Sequence, residues 1–131
     1  MAIRFLLKEI IHINKRFLLG IFLSLSIGIL IYCLFRKQSI LHFNTNFQNI
    51  PDWIIYNLPD GLWTYSFTSF NILIWKNEKS KAKRIWILLP LIISLLFEVS
   101  QYILGFGTFD NKDIIWCICG YILSMIFYSR D

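Results

Sequence analysis

Glu98 and Gln101 lie three residues apart inside an apolar run, Asp113 opens the next apolar run, and Asp60 opens an earlier one. An ionisable side chain inside a membrane-length segment is expensive to bury, so it marks either a functional site or a structural polar contact. The chemistry open to these residue types is narrow. Carboxylates held close together keep at least one proton near neutral pH, which makes an acid available for proton transfer. They equally suit cation binding, or a pocket for a lipid or sugar head group. The spacing does not choose among these.

Other chemistries lack their signatures. The chain has no Gly-x-Ser-x-Gly elbow, His-Glu-x-x-His pair, phosphate-binding glycine loop or Cys-x-x-Cys. Asp110-Asn111-Lys112-Asp113 lacks the glycine and terminal glutamate of a calcium loop and reads as a turn with a helix N-cap. No metal or other cofactor is expected. Cys33, Cys117 and Cys119 form no metal or redox motif, and Cys117 and Cys119 point to nearly opposite faces of a helix. His12 and His42 read as polar residues at head-group depth.

Of the 131 residues, 56% are hydrophobic and 18% aromatic, in blocks long enough to cross a bilayer; a span takes about 20 mostly apolar residues. The expectation is an all-α integral membrane protein forming a single membrane domain over 1–131. Four transmembrane helices, at about 17–35, 60–75, 85–103 and 113–128, would form a small bundle. An amphipathic helix over 1–16, with Ile3, Leu6, Leu7, Ile10, Ile11 and Ile13 on one side, would precede them at the membrane surface. The first run is longer than a signal-peptide core and has no small-x-small cleavage site after it, so it reads as a retained span. Residues 36–57, with Trp53 and Pro51, read as a loop folded down at the interface.

The net charge of +5 raises nucleic acid as a partner, but the basic residues cluster beside apolar runs, where they set membrane orientation. Arg4, Lys8, Lys15, Arg16 and the connector Lys76–Arg84 fall on one side, against only Arg36, Lys37 and Lys112 on the other. Both ends are therefore expected in the cytoplasm. The Asp60, Glu98 and Asp113 ends of three helices are brought to one depth near the outer leaflet. Ser94, Glu98, Gln101 and Gly105 recur along one helix face, and Asp113, Cys117, Gly120 and Ser124 form a stripe suited to close packing. Asp60, Thr64, Phe67 with Thr68, and Asn71 make a stripe unusually polar for a lipid-facing surface, which should face other helices.

Glu98-x-x-Gln101, the glycine turn through Gly105 with Thr108-Phe109-Asp110, then Asp113 and Gly120 resemble the second half of VanZ-like membrane proteins over roughly residues 60–125. Gly107 stands at that family's turn arginine and Cys117 at its asparagine, and the lysine and histidine often found after Asp60 are absent. The resemblance implies a multi-pass protein of the bacterial cell envelope, in the inner membrane, with a link to glycopeptide susceptibility. On this reading Asp60, Glu98, Gln101 and Asp113 form an outward-facing pocket that binds or modifies an envelope lipid or glycan head group. The partners would be membrane lipids and a lipid-linked glycan. The alternative is a non-enzymatic accessory subunit docking to a larger membrane protein complex. An ion or proton pathway ranks last, because Ile85–Ile93 offers it no polar residue.

Overall fold

Each helix starts and stops where the sequence gives the backbone a reason. In the computed structural model, which describes residues 15–35, 49–105 and 109–128, α1 spans Lys15–Phe35. Pro51, with φ near −58°, leads into a single short helix, α2 (Asp52–Tyr56), and α3 (Leu58–Ile74) follows at once with Pro59 in its first turn. A proline is tolerated there because the first-turn N–H groups have no helical partner anyway. The longest helix, α4 (Lys81–Leu104), ends at Gly105, which takes the left-handed φ of 67° that closes a helix. Asp110 then caps α5 (Asn111–Tyr128): its carboxylate accepts the Lys112 N–H at 3.0 Å. The described residues are thus all-helical. Of the expected amphipathic segment over 1–16, residues 1–14, with His12, lie outside them, as do His42, Gly107 and Thr108, while Lys15 and Arg16 belong to α1.

The short α2 was not anticipated. It docks residues 51–57 on the bundle, with the Trp53 ring stacked on Trp116 of α5 at 5.4 Å between centroids. The α4 helix also begins four residues ahead of the expected 85, because Lys81, Ala82, Lys83 and Arg84 continue the helical backbone.

The bundle is built around α3, which packs on α5 most extensively and also on α1 and α4. Between α1 and α4 there is little contact. The α3 and α5 helices run parallel, in a register fixed by Asn57 with Asp113 and by Ser69 with Ser124. Their closest approach is glycine on glycine. A Cβ at Gly120 would collide with the Gly61 carbonyl oxygen, and one at Gly61 would sit 2.9 Å from the Trp116 carbonyl oxygen. Gly28 does the same for α1, since a Cβ there would lie 2.7 Å from the Trp63 indole nitrogen.

The interior inverts the usual distribution of a water-soluble domain. Thr64, Thr68, Ser66, Ser69 and Ser124 are fully buried, whereas Phe22, Leu96, Phe97 and Ile103 are exposed. A soluble fold hides its large apolar side chains; helices in lipid expose them and pack through small residues. Hydroxyl pairs tie α3 to each neighbour: Ser66 with Ser24 of α1 at 2.6 Å, Thr64 with Ser94 of α4 at 3.0 Å, and Ser69 with Ser124 of α5 at 2.8 Å. Several of these hydroxyls also bond back to a carbonyl in their own helix, as Thr64 does to Asp60 and Ser94 to Pro90.

Pro90 sits inside α4 and cannot donate to the carbonyl four residues earlier, that of Trp86. The Asn71 side-chain amide of α3 takes that acceptor at 2.7 Å. A helix defect on one element is thereby repaired by a polar residue on another.

Among the described residues two helices, not four, are long and apolar enough by themselves to cross a membrane: α1 over Phe17–Phe35 and α4 over Lys81–Leu104. With 17 and 18 residues, α3 and α5 do not meet that test. The physical reason lies in their position. They supply the buried hydroxyls and two of the acids, so polar side chains dilute their apolar character.

Candidate functional site

The parallel run of α3 and α5 puts their first turns side by side, and the antiparallel α4 brings its last third back to the same level. Asp60 lies in the first turn of α3, Asp113 in the first turn of α5, and Glu98 six residues before the end of α4. One carboxylate oxygen from each lies within 4.8 Å of the other two. Glu98 and Asp113 are 6% and 7% exposed, and Asp60 is half-buried. The unpaired N–H groups and positive dipole ends of α3 and α5 favour negative charge at Asp60 and Asp113.

Polar partners hold this cluster in place. The Asn57 amide, buried just ahead of α3, donates to Asp113 Oδ1 at 2.6 Å. Thr64 and Cys117 both approach the Asp60 backbone carbonyl, at 2.9 Å and 3.9 Å. Three carboxylates this close repel one another unless a proton or a cation lies among them. As oxygen donors they are of the kind a hard cation takes, and Asp60, Glu98 and Asp113 are the residues that could hold one.

A cavity of about 520 Å³ opens from the cluster and runs between α1, α3 and α4. Asp60, Glu98 and Gln101 line its acidic end; Trp63, Phe67, Ile93 and Phe97 form its apolar walls; Asn71, Leu89 and Pro90 close the far end. From Gln101 to Leu89 the lining follows α4 for twelve residues, roughly 18 Å of helix. Tyr32 of α1 forms one wall, its ring 5.6 Å from that of Trp63. Among the described residues, no basic side chain lines this cavity.

A family model described as VanZ/LLP1 matches residues 2–130, nearly the whole chain. The chain belongs to the VanZ/LLP1 family. No curated protein and no solved structure matches it. The family match extends well past the 60–125 stretch carried by the motif, so α1 falls inside the VanZ/LLP1 pattern too.

Within this VanZ/LLP1 chain the residues singled out by sequence separate into two groups. Asp60, Glu98 and Gln101 line the cavity, and Asp113 joins the two acids from the side. The motif residues around them serve the helix ends and the packing. Gly105 ends α4, Asp110 caps α5, and Gly120 admits the α3 backbone. Phe109 packs its ring on Tyr102, 5.4 Å between centroids. Cys117, where VanZ-like proteins have asparagine, is 2% exposed and offers only a weak thiol donor. An amide reaches the cluster from Asn57 instead.

Sequence reasoning missed Asn57, Trp63 and Tyr32. For Asn57 a signal existed, because an asparagine directly ahead of Leu58-Pro59 occupies the N-cap position such residues favour. For the aromatic pair there was none, since Tyr32 and Trp63 are neighbours only through the packing of α1 on α3.

Proposed function

We propose that this VanZ/LLP1 chain is a four-span protein of the bacterial cell membrane whose cavity binds an envelope lipid or glycan head group. Its acidic end faces outward and both chain ends lie in the cytoplasm. The observation that carries the reading is the union of three carboxylates with a cavity of about 520 Å³ in one place. A head group with hydroxyl or ammonium donors satisfies the acids, and the aromatic walls accept an apolar chain. The inverted interior supports the four-span assignment for α3 and α5 as well: their polar residues face the other helices, so lipid meets mainly Ile115, Ile122, Phe67 and their like. Occupation of the cavity is the step through which this chain would alter glycopeptide susceptibility.

Native mass spectrometry of the gently extracted protein, run beside Glu98→Gln, tests this reading. The expected result is a specific bound lipid or head-group mass that disappears in the variant. A co-purifying protein retained equally by both forms would overturn it in favour of an accessory subunit.

A further inference from the structure

We propose that the connector between α3 and α4 is a binding surface for anionic membrane phospholipids, whose head groups sit at Lys79, Lys81 and Arg84 beside the Trp75–Trp86 pair. The surface lies at the opposite end of α3 from Asp60 and takes nothing from the cavity or its occupant. It rests only on α4 entering a bilayer from this end, as in the reading above.

Charge density is the first argument. Lys76, Lys79, Lys81, Lys83 and Arg84 are five of the chain's 13 lysines and arginines, gathered between positions 76 and 84. Lys76, Lys79, Lys81 and Arg84 are exposed and Lys83 is half-buried. The acid among them, Glu78, turns back on its own backbone, where Oε1 accepts the Lys79 and Ser80 N–H groups at 3.0 Å each. Lys83 Nζ donates to the Lys76 carbonyl at 3.0 Å, which closes the turn and holds the basic residues together.

Position is the second. Lys81, Lys83 and Arg84 occupy the first turn of α4. Unpaired N–H groups make that end of a helix positive, so cations there work against it. An anionic membrane surface has the reverse effect and favours each basic side chain by roughly fivefold in affinity.

The flanks are the third, and they choose lipid over a soluble polyanion. Trp75, at the end of α3, stacks on Trp86 of α4 with ring centroids 5.5 Å apart and planes 11° apart. Ile74 and Ile85, which bracket the connector, are exposed together with Trp86. A nucleic acid or an acidic peptide would leave this apolar collar against water. A bilayer covers it with hydrocarbon and takes tryptophan at head-group depth. The lipid phosphates then stand level with the basic side chains just beyond the collar.

The test compares dioleoyl phosphatidylglycerol with dioleoyl phosphatidylcholine, which share their chains and differ in net charge. Each is added in equal amount to the full chain in neutral detergent, and retention is read by native mass spectrometry. The glycerol lipid is expected to be retained about fivefold more, or better, than the choline lipid. Replacing the exposed cations together, as Lys79→Gln, Lys81→Gln and Arg84→Gln, should bring it to the level of the choline lipid. Lys112→Gln, at the other end of the bundle, should leave the preference unchanged. Equal retention of the two lipids by the unaltered chain overturns the inference. A preference that survives the triple replacement overturns its placement on the connector. Displacement of the glycerol lipid by inorganic phosphate or by poly-glutamate at equal charge assigns the surface to a soluble anion or an acidic protein segment instead. Membrane insertion is read separately, by alkaline carbonate extraction of the chain reconstituted in the choline lipid. A chain that stays in the bilayer without any charge preference loses this inference alone, and a chain released by carbonate loses both readings. The unaltered chain decides the preference and each single replacement its placement, so a triple variant that fails to fold leaves the test intact.

Discussion

The two halves of the bundle use polar residues in opposite ways. Around Ser69, Ser124 and Thr68 the polar groups are hydroxyls, fully buried, with the helices closed tightly on them. Around Asp60, Glu98 and Asp113 they are carboxylates, gathered at the mouth of a cavity that the helices leave open. Both are buried polar clusters and both hold helices in register. The difference is that the hydroxyl pair closes on itself at 2.8 Å, whereas Asp60 and Glu98 line an open cavity. The hydroxyl half is glue; on the proposed reading the acidic half is a seat.

That contrast can be broken or sharpened by substitution. The largest effect should come at the glycine crossing that both halves depend on. Gly120→Val drives a side chain into the Gly61 backbone, which cannot move aside, and should cost about 3 kcal/mol or more in reversible unfolding in detergent. Next is Asn71→Leu, which leaves the Trp86 carbonyl without the amide that replaces the bond lost at Pro90. It should cost about 1–3 kcal/mol in the same assay and loosen α4 in hydrogen exchange around Trp86–Pro90.

The acids should then behave in the reverse sense. Glu98→Gln relieves repulsion among three carboxylates and is expected to raise stability by about 1 kcal/mol while abolishing ligand retention, as substitutions at binding sites often do. A loss of stability instead would make Glu98 part of the glue and erase the distinction. In the hydroxyl half, Ser69→Ala with Ser124→Ala should show a coupling of only about 0.6 kcal/mol in a double-mutant cycle, with ligand retention unchanged.

The smallest effect lies in the connector between α3 and α4. There the Ser80 N–H and then the Ser80 side chain, with lesser help from the Lys79 N–H and the charge of Lys83, hold the Glu78 carboxyl below its ordinary 4.5. A lowered carboxyl contributes to the turn above its ordinary value and loses that contribution as pH falls through the lowered one. A nuclear magnetic resonance titration should therefore find the Glu78 midpoint below 4.5, and Ser80→Pro, which removes the N–H, should raise it.

Much of this architecture was legible from periodicity and composition. The stripe Asp113, Cys117, Gly120 and Ser124 is buried along its length because small residues at helical spacing have little use on a lipid-facing surface. The convergence of Asp60, Glu98 and Asp113 followed from alternating helix direction alone. Helix limits were read to within about two residues at most ends because apolar blocks and caps coincide there. What stayed hidden depends on contacts between distant residues. Asn57 meets Asp113 across 56 positions, and Asn71 reads as one more polar stripe residue until Pro90 is seen to need it. Ser66 and Ser69 lay off the stripe expected to be buried, yet α3 is surrounded widely enough to bury both. That same encirclement explains why α3 falls short as a span by composition.

The lengths of the helices carry a last consequence. Glu98 lies six residues before the end of α4, while its partners Asp60 and Asp113 lie in the first turns of α3 and α5. Two helical residues precede each of these partners, so α4 stands about 6 Å taller than its neighbours at this end. The overhang is apolar, with Tyr102, Ile103 and Leu104 all strongly exposed. A bilayer in contact with this rim on one flank and with the lower ends of α3 and α5 on the other meets two hydrophobic heights at once. On the proposed four-span reading it would thicken along one side and dip along the other. The dip would then lie over the carboxylates, bringing head groups towards them ahead of any binding.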